Sequence, residues 1–165
     1  MTGEQERLAE VIARAGKTHP TNPKVWAWVA VKHGQAKNWA AACDAYARAV
    51  KIDPENRVYR IHWGFTLARA GRYEEGFECL SRSMREAEAR YNLAMMMVHN
   101  GDVERAKREL RLAQQADPNF GAAAEKLAAL ETGAPVTPAP QVDAGPNVPA
   151  SGVEELPAVQ LNTRP

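Results

Sequence analysis

Only two cysteines, Cys43 and Cys79, occur in the chain, and no CxxC or similar spacing joins them. A disulfide framework or zinc ribbon is therefore not encoded, and both read as reduced thiols of a cytoplasmic protein. Long apolar runs are missing too: none approaches the roughly 18 to 20 residues that span a bilayer. Residues 1–7 are polar and acidic, so no secretory leader is expected. Nor does one sign of charge dominate. Twenty-one Lys and Arg stand against 20 Asp and Glu, and a net charge of +1 provides no field to capture nucleic acid or an anionic membrane. There is no Gly-rich phosphate loop, no GxSxG and no HExxH. The four histidines, His19, His33, His62 and His99, lie 14, 29 and 37 residues apart, far from the spacing of a metal site. No enzyme activity, cofactor or metal is expected.

What the chain does have is a repeat. Pro20 and Pro54 are 34 residues apart, and Pro118 follows after a further 64. Tyr46, Leu80 and Leu110 form one column with steps of 34 and 30; Ala30, Gly64, Ala94 and Ala128 form another with steps of 34, 30 and 34. A period near 34 with small residues at fixed offsets marks stacked helix pairs. Apolar residues recur three and four apart, as in Val25, Trp26, Val29 and Ala30, then Trp39, Ala42, Cys43, Tyr46, Ala49 and Val50. That spacing predicts helices up to Glu131. Gly71 and Gly101 fall where paired helices reverse, and Lys37 holds the equivalent turn in the first pair. Asp53-Pro54 and Asp117-Pro118 end one helix and start the approach to the next.

These residues resemble the tetratricopeptide repeat. The first full repeat carries Trp26, Val29-Ala30, Ala42, Tyr46, Ala49 and Asp53-Pro54. The second carries Trp63-Gly64, Leu67, Gly71, Tyr73, Gly76 and Leu80; the third carries Leu93-Ala94, Met97, Gly101-Asp102, Ala106, Leu110, Ala113 and Asp117-Pro118. The resemblance implies an all-α fold, an α-solenoid of stacked antiparallel helix pairs. Residues 1–22 supply an N-terminal half-repeat helix over 5–15, with Leu8, Ile12 and Ala15 in register. Residues 23–131 hold three repeats and a C-terminal capping helix from Phe120. The second repeat, 57–86, is four residues short and lacks its Asp-Pro turn, so either its second helix fuses with the next or a tight break falls near Glu86. The break is expected, because fusion would abandon antiparallel stacking. Gly76 stands where such repeats usually carry alanine, and is placed opposite Gly64 as a close backbone approach.

The resemblance also implies a function in binding other proteins, as an adaptor or scaffold. In register, the concave groove would be lined by Ala27, Val31 and Gln35, then Ile61, Phe65 and Arg69, then Tyr91, Met95 and His99. Residues four apart share a helix face, and the larger apolar members suit an apolar or amphipathic peptide or partner helix. Packing within the array is the competing reading of the same stripe. Some relatives clamp a terminal carboxylate with cationic and amide side chains, but the matching places here hold Ala27, Val31, His62, Glu88 and Asn92, which argues against that ligand. Self-assembly into a scaffold is the alternative function. The polar ends, with Glu4, Glu6, Arg7, Glu10 and Arg14 at one and Glu125, Lys126 and Glu131 at the other, favour a monomer.

From residue 132 to 165 the chain has seven prolines and no aromatic residue, a composition that predicts a disordered tail. Within it, residues 153–161 read VEELPAVQL and are more apolar than their surroundings. They read either as plain linker or as a docking segment that folds back on the groove.

Overall fold

In a computed structural model, Asn22, Asn38, Asn56 and Asp102 each begin a helix by the same means. Their side-chain oxygens accept the N–H groups of Lys24, Ala41, Val58 and Arg105 at 3.0, 3.3, 3.1 and 3.4 Å. Each satisfies a donor that the first helical turn leaves unpaired. The structure describes residues 3–133, with side chains from Ala9 onward. The side chains of Glu4, Glu6, Arg7 and Leu8, and residues 134–165, lie outside the described residues.

Eight helices and no strand are found among the described residues. They are α1 (Gly3–Thr18), α2 (Pro23–Gln35), α3 (Trp39–Ile52), α4 (Arg57–Arg69), α5 (Tyr73–Ser81), α6 (Glu86–His99), α7 (Val103–Ala116) and α8 (Gly121–Thr132). The expected N-terminal helix thus runs longer than 5–15. Pairs α2/α3, α4/α5 and α6/α7 stack in sequence, with α1 against α2 and α8 against α7. Short turns reverse the chain each time, so α2, α4, α6 and α8 point one way and the others point back. This is a tetratricopeptide-like α-solenoid.

The three intrapair turns are copies of one device. The N–H groups of Asn38, Arg72 and Asp102 reach back five residues to the carbonyls of His33, Leu67 and Met97, at 2.9, 2.9 and 2.8 Å. That closure needs a left-handed residue just past the helix end. Gly71 and Gly101 supply it with φ of 79° and 84°, whereas the first turn uses Lys37 at φ 56°. A lysine there costs about 1–2 kcal/mol that a glycine would not.

The short second repeat keeps its antiparallel form: α5 ends at Ser81 and α6 begins at Glu86. In place of an Asp-Pro turn, α4 reaches across. Arg57 Nε donates to the Ser83 carbonyl at 2.6 Å, and Arg60 Nε to Ser83 Oγ at 2.8 Å. Glu88 then closes the first turn of α6 by accepting the Arg85 N–H at 3.2 Å. Polar groups freed by the missing residues are thereby satisfied from a neighbouring helix.

Three clusters form the core. One joins α2 and α3 through Val25, Val29, Ala30, Tyr46 and Ala49. One joins α6, α7 and α8 through Leu93, Met97, Leu110, Ala113 and Leu127. Cys43, Leu67 and Cys79 bridge between them. The close approach at Gly64 and Gly76 is present: a Cβ on Gly76 would stand 3.0 Å from the Gly64 carbonyl oxygen, and one on Gly64 would stand 2.9 Å from Leu80 Cγ. Glu104 pairs with Lys107 at 2.9 Å, and Arg111 pairs with Glu131 at 2.7 Å.

Candidate functional site

A cavity of about 370 Å³ opens at the C-terminal ends of α2, α4 and α6. Its walls are largely apolar. Ala30 and Val31 come from α2, Trp39 and Tyr46 from α3, Phe65 from α4 and Met96 from α6. A volume of that order lies within the range of small ligand sites. Gly34 lies beside Trp39, whose ring is 3.5 Å from where a Cβ on Gly34 would sit, an ordinary packing distance.

The mouth is cationic. Lys37 is carried there by the left-handed turn, and Arg69 and His99 stand at the last residues of α4 and α6. The Arg69 guanidinium lies over the Trp39 ring, 5.3 Å from its centroid, and its Nη1 meets His99 Nε2. No Asp or Glu is among the described residues that line the cavity. An opening of this kind attracts an apolar group that carries negative charge beside it.

His62 forms part of the cavity wall and is only 8% exposed. Neither ring nitrogen has a hydrogen-bond partner, and the Tyr46 ring stands 6.0 Å away by centroid. Burial disfavours the imidazolium and pushes the pKa down to about 4. The linkage has a definite sign. The unfolded chain takes up this proton near pH 6.5, while the folded chain resists it until about pH 4. Stability is therefore complete above pH 6.5 and is lost as pH falls through that window. Between pH 7 and 5.5 the expected loss is about 1 kcal/mol. Denaturant midpoints at both pH values, for the wild type and for His62→Asn, check this: the asparagine variant should lose that part of the pH dependence.

Of the nine residues expected to line the groove, the cavity brings together five: Val31, Gln35, Phe65, Arg69 and His99. Ala27 and Met95, 1% and 3% exposed, serve the packing of α2 and α6 and do not line the cavity. Each sits where its helix meets a neighbour rather than at the mouth. Tyr91 is half-buried and packs edge-on against Phe120, 5.4 Å between centroids, away from the cavity. Ile61 is half-buried and also outside it. Sequence reasoning missed Trp39, Tyr46, His62 and Met96. A stripe read every fourth residue along the first helix of each pair cannot see α3, which contributes Trp39 and Tyr46 from the second helix.

Two of the places of a carboxylate clamp are otherwise engaged. Glu88 is held by Arg85 at 2.7 Å, and Asn92 donates to the Glu88 carbonyl at 2.8 Å. Burial pushes the Cys43 thiol up and that of Cys79 to about 11, so both stay protonated and poorly nucleophilic at neutral pH. Among the described residues no group of His, Cys, Asp and Glu could hold a metal, and no helix is long and apolar enough to cross a membrane.

Fold and repeat pattern together define a tetratricopeptide-like helical array. The chain is similar to the TPR repeat-containing thioredoxin TTL4 of Arabidopsis thaliana, 37% identical over 82 residues. That stretch is 47% of this chain and 12% of the relative's length. No protein-family model matches the chain.

Proposed function

We propose that this protein is an interaction module that holds an amphipathic segment of a partner protein in the cavity between α2, α4 and α6. The observation that carries this reading is an apolar pocket with Lys37 and Arg69 at its mouth, lined from α2, α3, α4 and α6. Trp39, Phe65 and Met96 supply apolar contact area, and aromatic anchors in desolvated pockets account for most binding energy at such sites. Lys37 and Arg69 select a segment with acidic residues beside its apolar ones. Lys37 is informative because it occupies a turn where the other two pairs have glycine. A strained cation at the mouth of a pocket suits a binding role better than a folding one.

The test is a random peptide library selected on the full chain, with affinities measured for the selected peptides. Acidic-apolar sequences with micromolar dissociation constants, about −8 kcal/mol, are expected. Phe65→Ala should weaken binding at least tenfold, with a melting scan to report its own packing loss. Lys37→Gly should raise stability while weakening the acidic peptides several-fold. Ile61→Ala, outside the cavity, should change affinity little. Affinities unchanged by both pocket variants would exclude the site.

A further inference from the structure

We propose that the pocket has an occupant within this same chain: residues 153–161, VEELPAVQL, dock there intramolecularly and compete with the partner. The inference rests on the reading of the pocket as a binding site. Three observations support it.

The first is where the described chain ends. Helix α8 runs in the same direction as α2, α4 and α6, so Gly133 leaves the array at the edge where Gln35, Arg69 and His99 lie. Neighbouring helices pack about 8–10 Å apart, so the pocket is a few helix diameters from that exit. Nineteen residues lie between Gly133 and Val153. Such a length spans at most about 70 Å, and an unstructured chain of that size has a root-mean-square reach of about 25 Å. The connection is long enough without strain, and short enough to give a high effective concentration.

The second observation is charge. Beyond Gly133 the chain holds Asp143, Glu154 and Glu155 against a single cation, Arg164. Two of the three acids directly precede Leu156, and the cations Lys37 and Arg69 stand among the described residues at the pocket mouth. The third is apolar content. Leu156, Val159 and Leu161 are the most apolar grouping of the 134–165 stretch, and they match a pocket walled by Val31, Trp39, Phe65 and Met96.

The experiment compares amide and indole spectra of the full chain with those of a Leu156→Asp/Leu161→Asp variant. Both substitutions fall outside the described residues. The proposal expects shifts at Gly34, Phe65, Thr66 and His99 and at the Trp39 indole N–H, unchanged on tenfold dilution. The variant should also bind a library-selected peptide at least threefold more tightly. Spectra identical at the pocket, with equal peptide affinity, would overturn the proposal. Differences that vanish on dilution would overturn it too, because a second copy would then supply the segment. In both cases pocket shifts caused by the added peptide would leave the binding reading intact; peptide shifts elsewhere would remove that reading as well.

Discussion

Leu80→Ala is expected to lower the unfolding free energy by about 2–5 kcal/mol, toward the upper end of that range. Leu80 is fully buried and belongs to α5, the shortest helix, whose nine residues bury only Tyr73, Gly76, Cys79 and Leu80. The cost of a cavity depends on how far the surroundings collapse into it. Here one wall is Gly64, which has no side chain to move in. The chain on the other side is fixed by the Arg57 and Arg60 hydrogen bonds to Ser83. Folded domains have roughly 5–15 kcal/mol to lose, so the change removes a large part of the total. Urea titration followed by far-ultraviolet dichroism measures it, and a lowered slope would show that the middle pair opens separately. A loss under about 1 kcal/mol would mean that α5 is not packed as described.

Gly64→Leu should destabilise by about 2 kcal/mol through the opposite fault. The added Cβ alone would stand 2.9 Å from Leu80 Cγ, 3.0 Å from Leu80 Cδ2 and 3.2 Å from Cys79 Cβ. Overpacking of this kind costs about 1–3 kcal/mol, occasionally more. Replacing a mid-helix glycine returns up to about 1 kcal/mol of helix propensity, which the clash outweighs. The two sites are coupled. Gly64→Ala in a Leu80→Ala background should cost less than the two single changes added together, since the new methyl enters the space Leu80 vacates. Strict additivity in calorimetric melts would contradict the contact between α4 and α5.

The architecture was legible because its signals are local. Column spacing, the glycines at 71 and 101 and the Asp-Pro pairs each act within one turn of helix. They placed the helix pairs, and the four-residue deficit in the second repeat pointed to the break before Glu86. The deficit could not show that Arg57 and Arg60 of α4 would hold that break, because those contacts join residues 26 and 23 apart. The candidate site was legible only in part for a related reason. A periodic stripe says which residues share a face, but not how deep each lies. Ala27 and Met95 belong to the expected stripe and are buried, while Trp39 lies outside it, on α3, and lines the cavity. His62 is one residue off the stripe, and its lack of a partner follows from three-dimensional packing alone. The stretch 153–161, singled out by composition, lies outside the described residues.

The most direct test of the account is a spectrum of the full chain during titration with a library-selected peptide. The Trp39 indole N–H, Gly34, Phe65 and His99 should shift together and saturate at the dissociation constant measured by calorimetry. Those groups come from four different helices or their ends and meet only at the cavity. Shifts confined to α5 and α7, with the cavity residues still, would contradict it.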